Sequence, residues 1–110
     1  VFASRKRRKI FAERASLPPR EQLSEVRPSG CAADLASAEA IWRDIASSLG
    51  IAPDRLRADD ELQTLVATDV FQGDRVLDIE ARLKRLGIPS PPGGMTLAAL
   101  VWQIAQAEAR

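Results

Sequence analysis

The stretch DLASAEAIWRDIASSLG, Asp34 to Gly50, decides the fold. At about 100° per residue, Leu35, Ala38, Ile41, Trp42, Ile45 and Leu49 fall within an arc of roughly 120°, the mark of an amphipathic helix. Asp34 or Ser37 can cap its amino end, where a short side-chain oxygen accepts from an unbonded backbone N–H. Gly50 suits the left-handed residue that ends such a helix. Trp42 lies at the edge of the stripe and reads as core rather than as a ligand platform.

Toward the carboxyl end, Pro53-Asp54 signals a turn in a long connection, residues 51 to 67. Its spaced apolar residues Ile51, Leu56, Leu62 and Leu65 predict a loop pinned to the core. A second helix is expected from Thr68 or Asp69 to Leu86, with Val76, Ile79, Leu83 and Leu86 on one face and Gly87 as the stop. Gly73 weakens its start, since glycine costs about 1 kcal/mol relative to alanine inside a helix. Pro89, Pro91, Pro92, Gly93 and Gly94 punctuate a tight connection. Thr96 caps a last helix whose inward stripe is Leu97, Leu100, Val101 and Ile104, with Met95 and Leu100 spaced as a hydrophobic staple. No segment alternates with period two. The expected fold is all-α.

Toward the amino end the pattern weakens. Ile10 to Arg20 reads as a short helix ended by Pro18-Pro19, because consecutive prolines remove backbone donors. Residues 21–33 hold no sustained period and read as a tether, placing the boundary near Ala33-Asp34. The expected organisation is a basic tail and linker over 1–33 and a helical domain over 34–110. The chain opens on Val1 rather than methionine, which reads as a fragment of something longer.

Composition excludes more than it reveals. Histidine and tyrosine are absent and Cys31 is the single cysteine, so the usual general base, the commonest metal ligand and any internal disulfide are missing. A lone thiol in a Pro/Ser/Gly-rich stretch reads as incidental and fits a reducing, cytoplasmic setting. The net charge of +1 hides a division: residues 1–30 carry +5 and residues 31–110 carry −4. Arg5, Lys6, Arg7, Arg8 and Lys9 form one run, and five like charges repel one another and seldom pack. Behind Val1-Phe2-Ala3 this run looks like the positive-inside flank of a membrane span, which would set it against an anionic membrane surface. The alternative is an arm for nucleic acid. Asp59-Asp60-Glu61 reads as a solvated acidic turn, with loose binding of a hard cation as the alternative. Gly93-Gly94 lacks a following lysine and reads as a connecting turn rather than a phosphate loop.

The order of elements over residues 37 to 107 resembles the acyl carrier protein family. Ser48-Leu49-Gly50-Ile51 is similar to the close of a carrier's first helix. Pro53-Asp54-Arg55-Leu56 with Asp59-Asp60-Glu61-Leu62 resembles its first loop. Ile79-Glu80-Ala81-Arg82-Leu83 resembles the end of its second helix, and Thr96-Leu97 with Val101 to Ile104 the start of its last. The resemblance implies a small three- or four-helix bundle. It also locates a departure, since carriers attach phosphopantetheine to a serine at the start of the second helix. No serine occurs between Ser48 and Ser90. Asp69, Val70 or Gln72 aligns with that position, and none has a hydroxyl. The acidic face that carriers offer to enzymes is also altered, with Arg75, Arg82, Lys84 and Arg85 outnumbering Asp74, Asp78 and Glu80.

These residues point to a non-catalytic, cofactor-free interaction or regulatory module on the cytoplasmic side of a membrane. Its partner is another, unidentified protein, and Arg75, Arg82, Arg85 and Trp102 are candidates for the contact. Trp102 lies roughly 100° from the inward edge of its helix beside Ala98, Ala105 and Ala109. A ring on such a face is either a partner surface or is covered by the tail or by loop 52–67.

Overall fold

Local signals set the Leu35–Leu49 helix at both ends and the Leu97–Glu108 helix at its start. The structure, a computed structural model, describes residues 14–61, 81–88 and 95–109. Helix α1 spans Pro19–Glu25, α2 Leu35–Leu49 and α3 Leu97–Glu108, with a single 3₁₀ turn at Pro53–Arg55 and a further helical stretch over 81–85. The fold is all-α; the described residues hold one isolated antiparallel bridge, Glu61 to Thr96, and no strand.

Asp34 caps α2 by accepting the Ser37 N–H at 2.8 Å. The Ser37 hydroxyl, and after it that N–H, hold the Asp34 carboxyl below its usual range; burial opposes them and Arg27 adds to them. Gly50 ends the helix at φ 69°, with Gly50 N–H donating to Ser47 and Ile51 N–H to Ala46. Gly87 repeats the device at φ 73°, with Ile88 N–H donating to the Leu83 carbonyl at 2.9 Å. Both are left-handed glycine stops that satisfy the last carbonyls of a helix. Nothing lies within 4 Å of a Cβ built on Gly87, so the backbone conformation, not space, calls for glycine there.

The amino end of α3 shows how the long loop is pinned. The first N–H groups of a helix lack partners within it. Here Leu97 N–H donates to the Asp60 carbonyl at 2.8 Å and Ala98 N–H to Ala58 at 3.1 Å. The Thr96 hydroxyl takes Ala99 N–H and its carbonyl takes Leu100 N–H. Ile51 and Leu56 are buried beneath, as their spacing predicts. Leu62, Leu65 and the start of the second helix lie outside the described residues.

Ile41, Trp42 and Ile45 of α2, Leu83, and Leu97, Leu100, Val101 and Ile104 of α3 form one buried cluster. Leu23 of α1 and Ala33 belong to it as well. That corrects two expectations. Residues 15–18 are not helical and the helix begins at Pro19, because proline at the first helical position loses no internal hydrogen bond. Nor are residues 21–33 a tether: α1 packs on α2, and Leu23 is fully buried. The core therefore draws on both sides of the expected boundary at 33–34.

Candidate interaction surface

Residues 14–27 run back across the loop between α2 and the acidic turn, and the seam between them is polar. Arg14 grips the Asp60 carboxylate with two nitrogens, at 2.8 and 3.0 Å. Asp60 also accepts the Arg57 N–H at 2.9 Å, so one carboxylate joins the strap to its own turn. Arg55 donates to the Arg14 carbonyl and Arg57 to the Ala15 carbonyl. The Ser16 hydroxyl donates to Asp54, and Leu17 N–H donates to the Asp54 carbonyl at 2.9 Å. That hydroxyl holds the Asp54 carboxyl below its usual range; burial opposes it, and Arg55 and Arg43 add to it. Further along, the Gln22 amide donates to the Leu56 carbonyl at 2.9 Å and accepts the Ala58 N–H at 2.8 Å. A side-chain amide here takes the place of a neighbouring strand.

The strap ends on Trp102. Its indole N–H donates to the Leu23 carbonyl at 3.2 Å, and the Arg27 guanidinium stands 5.5 Å over the ring. Arg27 also donates to the Ala33 carbonyl at 2.6 Å. Trp102 is 2% exposed, and Ala98 and Ala105 are buried beside it. Of the two arrangements open to Trp102, partner surface or cover from within the chain, the second is seen here, with Leu23 and Arg27 of the tail against the ring. Trp42 is core, as expected, and its N–H donates to the Pro53 carbonyl at 2.8 Å.

The remaining candidates separate. Arg82 bridges Asp44 of α2 at 3.2 Å and Glu108 of α3 at 2.6 Å, so its charge serves the bundle rather than an open surface. Burial works against that charge, but the bonds from both carboxylates outweigh it and raise its pKa. Arg85 is exposed. In the acidic turn, Asp59 and Glu61 are exposed, while Asp60 is committed to Arg14. Among the described residues no cluster of acidic or thiol groups has the arrangement of a metal site. Cys31 is half-buried against the core. Arg5 to Lys9, Arg75, Asp69, Val70 and Gln72 lie outside the described residues.

The missed element is α1 with its plug Leu23. Its signal was present: Pro19 can open a helix, and Glu21 favours the first turn of one. No protein-family model, characterised protein or solved structure matches the chain.

Proposed function

We propose that this chain is a non-catalytic interaction or regulatory module that uses a carrier-protein-like helical scaffold without a carrier's chemistry. The observation that carries this reading is the missing hydroxyl. Carrier activity needs one serine oxygen at the start of the second helix, and no serine stands between Ser48 and Ser90. The helix–pinned loop–helix order and the all-α fold support the scaffold half of the reading. Incubation with a promiscuous phosphopantetheinyl transferase and coenzyme A should leave the protein mass unchanged. A gain of one phosphopantetheine would overturn the reading.

The run Arg5 to Lys9 supports placement at the cytoplasmic face of a membrane. Each basic residue beside an anionic leaflet contributes about 1 kcal/mol, fading beyond a Debye length. Among the described residues no helix is long and apolar enough to cross a membrane, so any anchor lies elsewhere. The same run attracts nucleic acid, which keeps an arm for DNA or RNA as the second reading. The membrane reading predicts that the protein as expressed in its native cells partitions into membranes and survives high-salt extraction. Recovery in the soluble fraction, with tight nucleic-acid binding abolished by replacing Arg5 to Lys9, selects the second reading instead.

A further inference from the structure

We infer that residues 14–26 form a detachable strap, held by an electrostatic latch, that opens from an intact bundle and uncovers Trp102. The strap has few apolar anchors. Within α1 only Pro19 and Leu23 are buried, and Leu17 and Val26 on either side of it are exposed. A seven-residue helix does not persist alone in water. Its place therefore depends on the contacts it makes with α2, with Trp102 and with the loop.

Those contacts are concentrated in charged and polar groups. Arg14 on Asp60 and Ser16 on Asp54 fasten one end, and the Gln22 amide fastens the middle. Charge-assisted bonds on part-exposed groups weaken with salt in a way that aliphatic burial does not. A hinge lies immediately beyond. Cys31 N–H closes a turn onto the Pro28 carbonyl, and Gly30 sits in it at φ 73° with open space around its α-carbon. The segment can rotate there without disturbing the Asp34 cap of α2.

What opening changes is specific. The Trp102 N–H loses its acceptor, and the ring loses its contact with Leu23. Arg27 lies between the strap and the Gly30 turn, so its guanidinium leaves the ring with the strap. Trp102, the residue whose type best suits a partner contact, is thus exposed only in the open state. The latch sets how often that state occurs. Separable units of this kind open well below the free energy of global unfolding.

Amide hydrogen exchange of the intact chain tests this. Leu17 N–H and Ala58 N–H bond across the seam, so both report the strap, although Ala58 belongs to the loop. Ile41 and Val101, inside α2 and α3, report the bundle. Asp60→Asn keeps an oxygen for Arg57 N–H and leaves the backbone carbonyl that caps α3. It should speed exchange at Leu17 and Ala58 by roughly tenfold, with Ile41 and Val101 within about twofold. Arg14→Gln, made in the strap itself, should do the same and decides the matter if Asp60→Asn also loosens the loop. Raising potassium chloride from about 0.05 to 1 M should act in the same direction. One common exchange rate for strap and bundle amides, or unchanged strap rates in both variants, would overturn the proposal.

Discussion

The two tryptophans mark two regions that fold by different rules. Trp42 and Trp102 are both buried, and each indole donates to a backbone carbonyl. Trp42 reaches Pro53, 11 residues away, at the joint between α2 and its loop. Trp102 reaches Leu23, 79 residues away, across a strap that otherwise leans on guanidinium, carboxylate and amide contacts. Around Trp42 the chain is held by aliphatic packing and helix caps. Burial of a ring therefore does not reveal what holds its cover in place.

The largest expected effects belong to the bundle. Ile45→Ala, Leu83→Ala and Ile104→Ala each remove a side chain at most 4% exposed. Chemical denaturation should show losses of about 2–5 kcal/mol each. Losses below about 1 kcal/mol at all three sites would break the assignment of one shared core. Leu23→Ala removes an equally buried leucine, but from the strap. Because the strap can open first, its global cost should fall below that of Ile104→Ala, at about 1–2 kcal/mol. Equal costs would erase the distinction between the regions.

Smaller effects sharpen it. Thr96→Ala removes the oxygen that takes Ala99 N–H and should cost about 1 kcal/mol. Arg82→Ala breaks two surface ion pairs and should cost no more than about 1 kcal/mol. For pH, the folded-state values of Asp34 and Asp54 lie below the ordinary carboxylate value. Their contribution is therefore present above the unfolded pKa of about 4 and lost as pH falls through the lower folded value. Asp54 fastens the strap, so Leu17 and Ala58 amides should lose protection on acidification before those of Ile41 and Val101. Simultaneous loss would contradict that order.

Legibility in the sequence follows the same division. The Asp34 cap, both glycine stops and the Thr96 cap are local signals, readable within a few residues, and all stand in the structure. The pinning of Ile51 and Leu56 followed from apolar spacing. The strap did not, because its partners lie far away: Arg14 meets Asp60 across 46 residues and Gln22 meets Leu56 across 34. Periodicity carries no information about such pairings. Pro18-Pro19 was read as a helix end when it is a helix start, and that inversion hid Leu23. Trp102 stays open between partner surface and covered ring on sequence alone, since helix geometry shows which face turns from one neighbour and not what else covers it. Arg82 has a parallel history: its charge counted toward a surface, while two carboxylates on separate helices already use it.

Fluorine NMR of the protein labelled with 5-fluorotryptophan tests the division most directly, because of its two tryptophans one bonds to the strap and the other does not. A urea titration at low and at high salt would follow both resonances at once. The Trp102 resonance should move at lower urea than that of Trp42, and added salt should widen the gap. Both resonances moving together in one transition, unaffected by salt, would contradict a strap that opens from an intact bundle.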